Sequence, residues 1–454
     1  ATPSAPPRAT RRGDLRAIVG DGVAFSVMVG LGETYVPAFV LALGLGASAA
    51  GLIATVPLLA GALLQTVTPF AVRHLGSYRR WVVACAVLQG LALLPLAGAA
   101  LRGEASVLVL FAVVSAYWGF GMATGPAWNA WVGALVPPRL RARFFARRQR
   151  LAQAALLAAI AAAAVGLDLG RTAGAELGAF AVLFVLAALA RMVSARFLWR
   201  QSEPPGLARS HRALGLRRVL AAVRRSDAGR LLRYLLAVQA AVHLAAPFFT
   251  PYMLGPLGLD YVRFMALTGM SFAARIAVLP ALGVLAHRRG TGALLWLGAV
   301  GVTPLPALWL VSDAFGYLLV LQALSGSMWA ALELGTALAF FESLEERDRA
   351  SILTFYNLAH AAALTGGALL GAVLFGILPV GAGAYAVVFA LSAGARLAVL
   401  PLLRGAPRAP VPPEGVALRT LAVRPSAGAV QRPILATLEP TPGEDGEGSP
   451  SQRA

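Results

Sequence analysis

Thr34-Tyr35-Val36-Pro37, Leu43-Gly44-Leu45 and Gly76 stand in the first half of the chain, and Phe248-Phe249-Thr250-Pro251, Leu257-Gly258-Leu259 and Gly290 stand in the second. Pro37 to Pro251, Gly44 to Gly258 and Gly76 to Gly290 are each 214 residues apart. The residues before the two prolines are only loosely alike, aromatic and small in both. A second match has an offset of 208, where Arg139-Leu140-Arg141-Ala142 pairs with Arg347-Asp348-Arg349-Ala350. The chain is therefore read as a duplication of one half-length unit.

The unit is made for lipid. Of 454 residues, 58% are hydrophobic and 13% charged, and the mean hydropathy is +0.72. That is too apolar for a soluble domain. The apolar runs are long enough to cross a hydrocarbon core of about 30 Å as helices. Barrel strands would alternate over about ten residues, whereas these runs are longer and rich in Ala, Leu and Gly. Twelve spans are expected, near 15–43, 47–72, 80–101, 105–135, 146–167, 175–200, 230–255, 261–287, 291–312, 314–342, 350–377 and 381–404. The expected fold class is an all-α membrane protein of twelve transmembrane helices in two parallel six-helix repeats. Parallel repeats of this kind are found in transporters, with the substrate path between them.

Charge sets the orientation. The formal net charge of +19 comes from Arg alone, since the chain has no Lys. Arg73, Arg79, Arg80, Arg139, Arg141, Arg143, Arg147, Arg148, Arg150, Arg288, Arg289, Arg347 and Arg349 lie in or beside the loops after spans 2, 4, 8 and 10. The opposite loops hold only Arg102, Arg171 and Arg263. By the positive-inside rule both termini and the central loop are expected in the cytoplasm, with the protein multi-pass in the cell inner membrane. The excess charge is expected to meet anionic lipid on the cytoplasmic face rather than nucleic acid. Cys85 is the only cysteine, so no intrachain disulfide or thiolate metal cluster is available. Arg8, Arg11, Arg12 and Arg16 before an apolar run imitate a signal peptide. The run is too long, contains Asp21 and Glu33, and has a repeat partner in mid-chain, so it reads as a retained first span.

The expected organisation is a cytoplasmic tail over 1–13, an N-terminal six-helix half over 14–200 and a cytoplasmic linker over 201–229. A C-terminal six-helix half follows over 230–404, then a disordered cytoplasmic tail over 405–454. In the linker, Leu207, Leu214, Leu216, Val219, Leu220 and Val223 among many Arg fit an amphipathic helix on the inner leaflet or a merely solvated connection.

Twelve spans in a six-plus-six repeat with a long middle loop resemble the major facilitator superfamily over about residues 15–404. The family's signature loop after span 2 is matched in part by Arg73, Gly76 and Arg79, with Gly290 as the counterpart in the second half. Pro69 stands where the family has its first Gly, Arg73 where it has Asp, and His287 at the matching position of the second half. Val136-Pro137-Pro138-Arg139-Leu140-Arg141-Ala142-Arg143 also resembles the family's loop after span 4. The resemblance implies that spans 1, 2, 4 and 5 of each half border the path.

Polar residues in such spans are the candidate site, because charge at that depth usually faces a cavity or a partner. Glu33, Glu333 and His360 are candidates for proton coupling. Arg275, His243, Asn129, Gln65, Asn357 and Trp128 are candidates for the substrate path. Glu33 is the sharpest: placed about fifteen Å along the helix from the outer end of span 1, a buried carboxyl is cheaper neutral and can load and release a proton. Locking into helix packing by hydrogen bonds is the alternative. Arg275 either binds an anionic group through its fork or is neutralised by Glu333 as a structural pair. The two histidines relay protons or pack. Tyr117, Trp118, Trp128 and Trp131 cluster in span 4 and either line an apolar site or anchor and pack the helix. Gly367 and Gly371 fit close helix packing. The Gly-Pro pattern of many drug–proton antiporters is absent from span 5.

No cofactor or metal is expected. A Gly-x4-Gly-Lys loop is impossible without Lys, and no hydrolase motif is present. These residues imply a monomeric secondary transporter of a small organic solute, coupled to protons. Efflux of lipophilic compounds, or a transport-dead sensor or scaffold with the same fold, are the alternatives. None of these readings is enzymatic.

Overall fold

The structure of the protein is a computed structural model. It describes residues 8–136, 138–203, 227–343, 346–379 and 381–405, except for some side chains within these helices. The linker helix expected near 207–223 and the tail beyond 405 lie outside the described residues.

Twelve helical segments are long and apolar enough to cross a membrane: Arg12–Ala42, Ala47–Gln65, Tyr78–Arg102, Val107–Asn129, Arg147–Thr172 and Glu176–Trp199 in the first half, then Gly229–Leu254, Tyr261–Ala286, Thr291–Leu308, Phe315–Thr336, Leu358–Ile377 and Ala382–Arg404. They are called spans 1 to 12. No strand occurs among the described residues. An even number of helical segments brings Arg12 of the first and Arg404 of the last to one end of the bundle, here the terminal end; the other is the far end. Helix begins at Arg8, inside the residues expected as a tail.

Prolines and the repeated glycines shape the backbone. Pro37 has no N–H to offer the Glu33 carbonyl, so the regular helix of span 1 stops at Leu31 and the chain tightens into a 3-10 turn, Glu33–Tyr35, in which Val36 N–H bonds Glu33 O. Span 7 does the same: its helix stops at His243, Ala246–Phe248 forms a 3-10 turn, and Phe249–Leu254 resumes. Here Pro247 withholds the N–H that the His243 carbonyl would have received. Gly44 and Gly258 then take φ of 73° and 57°, and Gly76 and Gly290 take 62° and 79°. Positive φ is cheap only for glycine, which is why these glycines recur at fixed offsets.

Each half packs around its first span. Span 1 lies against spans 5 and 6, and span 7 against spans 11 and 12. In the first half Gly30 allows the approach; a Cβ there would meet Ala159 Cβ and Leu156 O. In the second half the glycines sit on the other helix. A Cβ on Gly367 would meet Ala240 O, and one on Gly371 would meet Leu244 O. The halves meet at span 2 with span 11 and span 5 with span 8.

At the terminal end a short strap follows span 6. Gln201 is fully buried. Ser202 N–H and Oγ donate to Asp14 at 2.8 and 2.5 Å, and Trp131 Nε1–H donates to Ser202 O at 2.8 Å. Glu203 accepts from Ser77 Oγ and Tyr78 N, both 2.5 Å. Residues 201–203 thus pack on the first half rather than starting a free linker.

Candidate functional site

Glu33 lies in the broken turn of span 1 and is 4% exposed. It is not on a regular helix, as its sequence position implied. Tyr117 Oη of span 4 donates to Glu33 Oε2 at 2.8 Å, so one member of the aromatic cluster of span 4 is the acid's partner. Beside them is a narrow cavity lined by Glu33, Val36, Pro37, Ile53, Leu93 and Trp118, among others. Every lining residue comes from spans 1 to 4, including Leu93 and Leu96 of span 3. Glu33 therefore faces the interior of the first half. The free space holds about one water molecule.

Arg275 and Glu333 come together as a buried ion pair. Arg275 NH1 is 2.5 Å from Glu333 Oε1, with both side chains under a tenth exposed. The pair joins spans 8 and 10. In this state Arg275 is engaged by protein through NH1, which is the second of the two arrangements the sequence left open.

His243 is fully buried at the last helical residue before span 7 breaks. Its Nδ1 lies 3.0 Å from Gln239 O. A carbonyl only accepts, so this bond places the proton on Nδ1 and leaves Nε2 as a lone pair. His360, 7% exposed, stacks on Tyr356 with centroids 5.4 Å apart at 13°. The two imidazoles lie within electrostatic reach of each other and His243 within reach of Arg396.

The remaining candidates scatter. Asn129 Nδ2 donates to Gly125 O of its own helix at 2.5 Å. Gln65 is buried at the end of the span 2 helix. The side chain of Asn357 lies outside the described residues. Trp128 lies under the Arg148 guanidinium, 4.6 Å from its ring centre. In the loop after span 2, Arg73 is exposed and Gly76 ends its helix in the left-handed region. Arg79 sits 5.1 Å over Trp199. Where the resembled family places an acid in this loop, the carboxylate at this corner is Glu203, brought from beyond span 6. Gly290 opens span 9 with an extended ψ.

Three buried groups lie outside the candidate set: Asp21 and Arg396 were visible in their spans without an assigned role, and Arg191 was not picked out. Asp21 accepts from Ser194 Oγ at 2.7 Å and lies 3.6 Å from Arg148. Arg191 NH1 donates to the same Ser194 Oγ at 2.7 Å, which links spans 1, 5 and 6. Arg396 of span 12 donates to Val302 O at 2.7 Å. Pro306 is the residue whose N–H that carbonyl lacks, so the guanidinium replaces a missing helix bond. An arginine within an otherwise apolar span was the available signal. No group of three or more His, Cys, Asp or Glu able to hold a metal ion occurs among the described residues.

No family model matches the sequence, and no curated protein matches it. Solved structures do. A variant of the nucleoside transporter NupG superposes with a TM-score of 0.68 at 12% identity, covering 86% of this chain and 98% of that one. A bacterial homologue of the human lysosomal transporter Spinster, inward-facing and unoccupied, gives 0.57 at 13% identity over 88% and 95%. The xylose transporter XylE from E. coli, in a partially occluded inward-open conformation, gives 0.58 at 12% identity over 86% and 97%. The chain has the fold of the major facilitator superfamily.

Proposed function

We propose that the protein is a secondary transporter that moves a small organic solute across the inner membrane by alternating access, with Glu33 carrying a coupling proton. The observation that carries this reading is the carboxyl of Glu33: buried, at a helix break, bonded by the Tyr117 hydroxyl, beside space for a water but not for an organic solute. A group so placed suits a proton rather than a substrate. Its charged form is costly unless partnered, so its protonation can favour one arrangement of the surrounding spans over another. The solute is assigned to the space between the halves, with Arg275, His243, Gln65, Asn129, Asn357 and Trp128 as its candidate contacts. Glu333 and His360 are the further proton-bearing groups. The arginine distribution supports cytoplasmic termini, a cytoplasmic linker and contact with anionic lipid. A monomer fits one path per chain.

The test uses purified protein in proteoliposomes, after a ligand-stabilisation screen has found a solute. Glu33→Gln mimics the loaded state. Accumulation driven by an imposed pH difference should collapse while solute binding persists. Undiminished pH-driven accumulation by the Gln variant would transfer the role to Glu333 or His360.

A further inference from the structure

The turn that holds Glu33 has a second face. Two residues on, Tyr35 is fully buried, and its hydroxyl donates to Ile160 O at 2.8 Å. Its ring meets two aromatic rings of the other half edge-on: Tyr261 at 6.4 Å and 71°, and Phe264 at 6.3 Å and 61°. Tyr261 also packs edge-on against Phe180 at 6.1 Å, and its hydroxyl donates to Glu176 Oε1 at 2.5 Å. Phe180 and Glu176 belong to span 6, Tyr261 and Phe264 to span 8. This group joins the two halves at the far end. Close by, Gly51 of span 2 abuts Pro247, where a Cβ would lie 3.0 Å from the proline Cβ.

We propose that the 3-10 turn Glu33–Tyr35 is the coupling element between the acid and the closure at the far end, so that the charge on Glu33 sets how firmly Tyr35 holds Tyr261 and Phe264. This rests on the reading of Glu33 as the proton carrier and deepens it. The turn is three residues long and bonded at both ends, with Tyr35 N–H on Gly32 O and Val36 N–H on Glu33 O. Between Glu33 and Tyr35 stands only Thr34, itself tied by its hydroxyl to Val29 O at 3.0 Å, so little of a displacement of Glu33 is absorbed. Of the groups that line the cavity with Glu33, Tyr117 is the one that titrates; the other walls, from spans 1 to 4, are uncharged. Tyr117 bonds a carboxylate more strongly than a neutral amide or acid, so loss of charge loosens the turn. Edge-to-face packing depends on ring angle and distance, so a loosened turn weakens the closure.

A labelling experiment separates this from the transport reading. In a Cys85→Ser background, Thr268→Cys places a thiol one turn below Phe264, at a site 8% exposed. An impermeant maleimide is added to the far side of oriented proteoliposomes. Glu33→Gln should speed labelling by about threefold or more, as expected when a minor open state gains population. Tyr35→Phe, which keeps the ring, should preserve that acceleration, and Tyr35→Leu should remove it. If Tyr35→Leu does not fold, Phe264→Leu cuts the same contact from the other half. Labelling unchanged by Glu33→Gln, or accelerated equally with and without the Tyr35 ring, overturns the coupling. Loss of pH-driven accumulation without a labelling change would leave Glu33 as carrier and remove only the turn's role. Faster labelling with pH-driven accumulation intact would do the reverse.

Discussion

The two halves share their backbone devices and differ in how they settle charge. Both break their first span into a 3-10 turn beside a proline, Pro37 in one and Pro247 in the other, and both turn on glycines at positive φ. Both bury an arginine of their last span beside their first: Arg191 in one, Arg396 in the other, 2% and 3% exposed. In the first half that arginine reaches Asp21 through Ser194. In the second it rests on the Val302 carbonyl with Tyr234 nearby. The acid of the second half, Glu333, serves Arg275 on different spans. At the break itself one half has Glu33 and the other Pro247. The lesson is that geometry is repeated and charge is particular, so function is to be sought where the halves disagree.

The contrast is most exposed to substitution at the ion pair. Glu333→Ala leaves Arg275 buried without its carboxylate and should cost about 3–5 kcal/mol of stability. Exchanging the two charges by Arg275→Glu with Glu333→Arg should recover much of the loss, as read by thermal unfolding in detergent. A single substitution without measurable cost would show that the second half does not depend on this pair. If the exchange also restores transport fully, Arg275 makes no direct contact with the solute.

Next in size is the helix approach that the halves achieve from opposite sides. Gly371→Ala and Gly30→Ala each put a Cβ against backbone or side-chain atoms of the neighbouring helix and should destabilise by about 1–3 kcal/mol. Equal losses would make spans 1–5 and 7–11 equivalent joints. A cost confined to one half would break the equivalence. Asp21→Asn should lose about 1–3 kcal/mol, toward the low end, because Arg148 keeps the Ile18 carbonyl at 3.1 Å and the Trp128 ring. The smallest effect is expected at the strap. Glu203→Gln keeps the geometry of the helix cap but not its charge, and should cost about 0.3–1 kcal/mol. A larger loss would mean that the strap holds together the terminal ends of spans 1, 3 and 4.

Much of this was legible in the chain. Apolar length gave twelve spans, and the glycines of the shared offset proved to take positive φ, because Pro and Gly act through local backbone sterics that sequence carries directly; the break of span 7 falls at Pro247, outside the matched positions. The pairing of Arg275 with Glu333 was legible as one of two options, since two opposite charges at similar depth invite each other. Partners that depend on helix rotation were not. Tyr117 as the donor to Glu33 needed the relative phase of spans 1 and 4, and the Asp21–Ser194–Arg191 link needed that of spans 1 and 6. Arg396 was opaque for another reason. Its partner is a backbone carbonyl, and only a proline four residues beyond it marks such an acceptor in sequence.

The paired breaks also fix the scale of any motion at the far end. Beyond the turns, Val36–Ala42 and Phe249–Leu254 are short rods of seven and six residues, about 10 and 9 Å long at 1.5 Å per residue. They are levers of nearly equal arm. A swing of about 20° at either pivot carries the tip by roughly 3.5 Å, more than a hydrogen bond tolerates and far less than a helix diameter. On the proposed transport reading, opening this end is then a matter of a few ångströms at the tips, reached without moving a whole span.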